Sequence, residues 1–224
     1  ARLRRTMTDL ANEGFFADVV VLVEGVGDVG VLSAVAAHRN ADWVARGVTV
    51  LAVDGKANLG APILVFRALG IPTFFVFDAD RQLQGKGKPE NQRQAKAANG
   101  TLLRLGGADV DESFDGFPEE TVADRFACFA YSLEDACRDA VGKELYDEIA
   151  DRVADELGWK VEDVLKSGRG GECFVREIYA AGKSLPTLER IVDQISAFAD
   201  SRGPEESLPP NPSANTGPVA SADA

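Results

Sequence analysis

Three short apolar runs constrain this chain more than any other feature. DVVVLV (18–23), VTVLAVD (48–54) and PTFFVFD (72–78) are rich in β-branched and aromatic residues and are apolar almost throughout. Continuous runs of this length fit strands covered on both faces, the environment of a parallel sheet. Between them lie a helical pattern at about 28–39 and a second in NLGAPILVFRALG (58–70), with Asn58 as its candidate N-cap. The order is β-α-β-α-β, so right-handed crossovers and a parallel sheet with helices on both faces are expected.

The rest of the chain divides by composition. A helix is expected over 2–13. DRQLQGKGKPENQRQ (80–94) reads as a polar loop entering a helix at about 90–105, and GGADVDESFDGFPEE (106–120) as an acidic loop. FACFAYS (126–132) has the character of a fourth strand, and LEDACRDAV (133–141) that of a helix. No strand pattern follows residue 142. KELYDEIADRVADELG places Leu145, Ile149, Val153 and Leu157 on one helical face, and GECFVREIYAAG and LPTLERIVDQISAFAD read as two more helices. The expected class is therefore α/β, with an α/β domain over 1–141, an all-helical domain over 142–201, and a Pro- and Ser-rich disordered tail over 202–224.

Composition excludes several functions. Of 224 residues, 45% are hydrophobic and 27% charged, and no apolar run approaches the eighteen or so residues of a membrane span. No signal-peptide pattern opens the chain, which points to a cytoplasmic protein without a membrane partner. Cys128, Cys137 and Cys173 form neither a disulfide framework nor a CxxC metal pattern and read as small buried hydrophobes. The single histidine, His38, falls near a helix end, where a catalytic role is not expected. A formal charge of −12 argues against nonspecific binding of a polyanion by the bare protein. If nucleic acid is the partner, cations must intervene. The chain opens at Ala1 directly into a charged helical pattern, as a fragment of a longer protein would.

The acids fall where such a sheet would need them. Glu24 follows the first run, Asp54 the second, Asp78 and Asp80 the third, and Glu134 comes just after FACFAYS. Asp28 lies four residues beyond Glu24, near the start of the next helix. In open parallel sheets ligands bind outside the carboxyl ends of the strands, so six carboxylates are offered to one edge. Packed together they repel, and some would bind protons at neutral pH unless positive charge is supplied. A hard divalent cation such as Mg2+ supplies it, and a cluster of this size suits two ions about 3.5–4 Å apart, the arrangement that serves in-line displacement at phosphorus. The alternative is structural, because acids after strands also serve as caps and turn formers, Asp54 before Gly55 above all.

VVLVEGVGD followed by FFVFDAD resembles the Toprim domain of topoisomerases, bacterial primases, RNA-maturation nucleases and the OLD (overcoming lysogenization defect) family of ATPase-coupled nucleases. The resemblance covers roughly residues 15–135. VDGKAN in the middle and the helical segment after the DxD make it most similar to the OLD branch. It implies a metal-dependent endonuclease acting on DNA with Mg2+ or Mn2+ as cofactor, two ions being expected. By this resemblance Glu24, Asp28, Asp78 and Asp80 hold metal, with Asp54 and Glu134 as further ligands, and Glu24 and Asp80 are catalytic. It implies an N-terminal ATPase domain outside this chain, which has no GxxxxGK[ST] loop of its own, and a homo-oligomer when full length. The OLD family places a functional lysine in its helical domain, which makes Lys183 the first choice for a cation beside the scissile phosphate, with Lys56 and Lys166 as alternatives. GKGK (85–88) and KSGRGG (166–171) would supply local attraction for DNA. A topoisomerase reading requires a nucleophilic tyrosine, and Tyr146 and Tyr179 sit in amphipathic helical patterns that packing explains. A primase reading lacks a zinc module, and an aspartate-nucleophile phosphatase would leave Glu24 without a role. A non-catalytic, metal-stabilised docking or regulatory module remains as the alternative outside enzymes.

Overall fold

The structure, a computed structural model, describes residues 13–201. The helix expected over 2–13 lies outside this range apart from Glu13, and the tail over 202–224 lies outside it entirely. The three apolar runs form β1 (Val19–Val23), β2 (Val48–Ala52) and β3 (Thr73–Asp78). With β4 (Thr121–Val122) and β5 (Phe126–Phe129) they make one sheet in the order β2-β1-β3-β5-β4. Every pairing is parallel except β4 with β5, an antiparallel edge. β1 is an interior strand and fully covered, as its unbroken apolar run requires.

The pleat of β1 sorts its side chains onto two cores. Val20 and Leu22 face one side with Ile63 and Phe66 of α2 (Gly60–Ala68) and Leu102 and Leu103 of α3 (Pro89–Leu105). Val19, Val21 and Val23 face the other, with Val31, Leu32 and Val35 of α1 (Val26–His38). On that side α4 (Leu133–Val141), α5 (Lys143–Leu157), α6 (Gly168–Ala180) and α7 (Pro186–Asp200) add Cys137, Ile149, Phe174 and Ile191 to the same core. Each large apolar side chain buried this way contributes about 1.5–3 kcal/mol. The chain after residue 142 is helical, as expected, but its apolar faces share a core with the sheet. The expected boundary at 141 falls between two helices, α4 and α5, whose apolar residues belong to one core.

Two glycines set how closely the later helices approach the sheet's edge. A Cβ on Gly27 would stand 1.7 Å from the Leu165 carbonyl oxygen, and one on Gly30 1.9 Å from that of Gly168. Any side chain at either position would push α6 off α1. The two helices run in the same direction, Gly27 meeting the segment before α6 and His38 stacking on Tyr179 near its end, ring centroids 3.5 Å apart.

Local differences from the sequence reading have simple causes. Asn58 does not cap α2. Its amide donates to the Asp54 carbonyl at 2.7 Å within a 3-10 turn over Lys56–Asn58, and the helix begins at Gly60. The strand in FACFAYS stops at Phe129, because the Ala130 and Tyr131 carbonyls accept from the Arg81 and Asp80 N–H groups of the loop after β3. β4, of two residues, is too short to carry any periodicity. No helix among the described residues is long and apolar enough to cross a membrane.

Candidate metal centre

Glu24 is the residue immediately after β1, and its carboxylate ties both neighbouring strand ends together. Oε1 accepts the Asp78 N–H at 2.8 Å and Oε2 accepts the Lys56 N–H at 3.1 Å. Asp28 sits in the first turn of α1, where Oδ2 accepts the Gly25 N–H at 2.8 Å, a capping bond that turns the carboxylate toward the strand ends. Asp78 ends β3, and its Oδ1 accepts the Leu133 N–H at 3.1 Å from the first turn of α4. That turn is fixed by Ser132, the N-cap, whose Oγ accepts from the Asp135 N–H. It also carries Glu134, whose charge acts on both Asp28 and Asp78.

Burial dominates the electrostatics. It pushes the Glu24 carboxyl up to about 7 and the Asp28 carboxyl to about 6, with neighbouring acids adding to both. Asp78 is raised well above the usual range, first by burial and then by the charges of Glu24, Asp28, Glu134 and Asp80. These couplings place five of the six expected acids in one electrostatic neighbourhood. The sixth, Asp54, is exposed, adopts a left-handed conformation (φ 62°) and gives its carbonyl to Asn58, so it shapes the turn after β2. Asp80 is also left-handed (φ 56°), a conformation that costs a non-glycine residue energy and is held here by the bonds of the loop to β5.

The three lysines separate clearly. Lys56 lies inside the cluster, its ammonium 2.5 Å from Asp80 Oδ2. Lys166 has its backbone against Gly27 at the start of α1, with its side chain two-thirds exposed toward Asp163. Lys183, the first choice from the sequence, is not brought to the acids. It follows α6, and its N–H bonds to the Ile178 carbonyl at the His38 end of α1. The 13 residues of α1 at about 1.5 Å each put that end roughly 18 Å from the carboxylates. Asn99, buried in α3 and bonded to Lys56 at 3.1 Å, belongs to the site and was not foreseen. A signal existed, since Ala95, Asn99, Leu102 and Leu103 fall at helical spacing on one buried face, where an amide needs a partner.

Residues 15–80 match the family model described as the overcoming lysogenization defect protein-like TOPRIM domain. The chain carries an OLD-like Toprim domain. The matched stretch includes Glu24, Asp28, Asp54, Lys56, Asp78 and Asp80 and ends before Asn99, Glu134 and Lys183. Beyond the Toprim part, the fold is similar to the C-terminal region of the OLD protein of Xanthomonas campestris pv. campestris, 17% identical, with a TM-score of 0.59 over 84% of this chain and 97% of that one. It is also similar to the C-terminal region of the Burkholderia pseudomallei OLD protein, 17% identical, with a TM-score of 0.56 over 82% and 99%. No curated protein matches the sequence.

Toprim domains are associated with divalent metals, and the donors here fit one. All are hard carboxylate oxygens, and burial and mutual repulsion raise Glu24, Asp28 and Asp78 together, a strain that a cation would relieve. Among the described residues no three acids already converge at ligand distance. Each of these three also accepts backbone N–H groups.

Proposed function

We propose that this protein is the catalytic region of a divalent-metal-dependent endonuclease acting on DNA, with Glu24, Asp28, Asp78 and Asp80 holding Mg2+ or Mn2+ and Glu134 assisting. One observation carries the reading. The acids of both sequence motifs stand together at the carboxyl edge of the parallel sheet, joined by the bond from the Asp78 N–H to Glu24. The OLD-like Toprim match supports it.

A bound cation would supply a Lewis acid toward the scissile phosphate and its attacking water. The protein's own contribution is to hold the acids. Glu24 ties the β1 end to the β3 end and to the turn after β2 through its two backbone bonds. Asp78 is oriented by the first turn of α4, and Asp28 by the first turn of α1. The cleft they line is acidic, so the negative charge carried by each backbone phosphate is tolerated only with cation bound. In this reading the hold on DNA comes largely from an N-terminal ATPase domain and from dimerisation of a longer protein, because a chain of charge −12 offers little of its own.

The capping and bridging bonds of Glu24 and Asp28 favour a second reading, in which the acids only shape a docking module. Nicking of supercoiled plasmid separates the two. Wild-type protein should nick in Mg2+ or Mn2+ and stop in EDTA, and both Asp78→Ala and Asp78→Asn should abolish the activity. The Asn variant keeps an acceptor for the Leu133 N–H, so its failure is not one of folding. Metal-dependent nicking that survives both substitutions would overturn the nuclease mechanism.

A further inference from the structure

Two peptide groups join Asp78 to Asp80, and every polar atom in them has a partner from another part of the fold. The Asp78 carbonyl accepts from the Lys56 ammonium at 2.6 Å, and the Ala79 N–H donates to the Phe129 carbonyl at 2.8 Å. The Ala79 carbonyl accepts from the Asn99 amide at 2.8 Å, and the Asp80 N–H donates to the Tyr131 carbonyl at 3.2 Å. These peptides need holding, because Asp80 is left-handed at φ 56°. Rotation about its N–Cα bond would relax it, and that rotation moves either the Ala79–Asp80 peptide or the Asp80 side chain. Asn99 and Tyr131 restrain the peptide, and the bond from the Arg81 N–H to the Ala130 carbonyl at 3.0 Å restrains the chain beyond.

Asn99 is the part of this clamp that comes from α3. It is fully buried, and its amide nitrogen donates to the Gly116 carbonyl at 2.9 Å as well as to Ala79, while its oxygen accepts from Lys56 at 3.1 Å. Carbonyl oxygens only accept, so the nitrogen must face Ala79 and Gly116 and the oxygen must face Lys56. The orientation of the amide is therefore set by chemistry. The loop over 106–120 comes this close because residue 116 is a glycine. A Cβ there would stand 2.3 Å from Lys96 Cγ, one turn before Asn99 on the same helix, and its φ of 92° suits no other residue well. A buried asparagine with every partner in place stabilises one geometry, and a partly satisfied one is costly.

We propose that Asn99 is a positioning residue for the two DxD carboxylates: by holding the Ala79 carbonyl, and by holding Lys56 against the Asp78 carbonyl, it keeps Asp78 and Asp80 directed at the same cation. This rests on the metal-dependent reading above, in which both acids are ligands. Asn99 acts through Ala79 and Lys56 and adds no ligand of its own. Without it the Ala79 carbonyl loses its donor, Asp80 relaxes from the left-handed conformation, and the two acids no longer share a fixed relative orientation. Metal affinity falls because the ion must then restore that orientation as it binds.

The affinity of the whole chain for Mn2+, read by calorimetry in the absence of DNA, tests this. Asn99→Leu fills the space without a donor and should bind Mn2+ about 10–100-fold more weakly than wild type. Asn99→Ser keeps a polar group there but is too short to reach Ala79; it should show a loss of the same order and stands in if Asn99→Leu unfolds. Leu102→Ala, three residues along the same buried face of α3, is the control for a purely structural role. It should lower the melting temperature at least as far while leaving Mn2+ affinity at the wild-type value. Wild-type affinity in the Asn99 variants, or an equal loss of affinity in Leu102→Ala, would overturn the proposal and leave the nuclease reading standing. Wild-type protein that binds no Mn2+ would overturn both.

Discussion

The Glu24 carboxylate accepts the Asp78 backbone N–H at 2.8 Å, so the acid that ends the first apolar run holds the acid that ends the third. Glutamine at position 24 keeps one acceptor oxygen and sets an amide against the other N–H. Glu24→Gln should therefore cost about 1 kcal/mol of stability. Metal-dependent nicking should fall by at least about 100-fold, the scale on which removal of a charge-stabilising group acts. Melting curves and plasmid assays on one preparation check both, and an active Glu24→Gln would remove Glu24 from the metal site.

Stability of the metal-free protein should fall as pH rises. Glu24 and Asp28 titrate at about 7 and 6 when folded, against 4.5 and 3.8 ordinarily, because burial disfavours their charged forms. Between those values the folded protein holds protons that the unfolded chain has released, so the unfolded state is favoured as pH climbs and the loss is complete above the folded values. In EDTA the melting temperature should drop from pH 5 to pH 8, and Mn2+ should shrink that drop. Asp78→Asn should flatten it too. A level profile across this range in EDTA would show that the acids are not held in the buried cluster.

Gly30→Ala tests the contact between α1 and α6. In a solvent-facing helix this change would stabilise by about 1 kcal/mol. Here the new Cβ would lie 1.9 Å from the Gly168 carbonyl oxygen, so one of the helices must shift. A loss of about 1–3 kcal/mol is expected from urea unfolding. A gain would mean that the helices do not touch at this point.

The cysteines should be silent until the protein unfolds. All three are buried, and burial pushes the Cys128 thiol up to about 11 and the Cys137 thiol higher still. A chromogenic disulfide reagent at pH 8 should label none rapidly in the native protein and three per chain in guanidinium. Rapid native labelling would place at least one of them outside the core.

Much of this fold could be read along the chain, because burial on both faces leaves a local signature. The unbroken apolar run of β1 and the aromatic run of β3 announced strands, and the acids at their ends marked where the sheet meets solvent. Short elements escaped. β4 has two residues, and the start of α2 depended on Asn58 choosing between a helix cap and the Asp54 carbonyl, a choice made by the turn after β2.

By itself the sequence determined the β-α-β-α-β order, the two-sided burial of the sheet and the gathering of Glu24, Asp28, Asp78 and Asp80 at one edge, since each follows from side-chain pattern within a single element. Only the tertiary structure decided which cation meets those acids. Lys183 and Lys56 are alike as sequence, both following a glycine, yet one stands at the far end of α1 and the other reaches Asp80 and Asn99. The reach of a lysine is short compared with a helix. Its partner is therefore set by which elements pack together, and that packing is fixed by contacts far apart in the chain, among them Gly27 with Leu165 and Asn99 with Ala79.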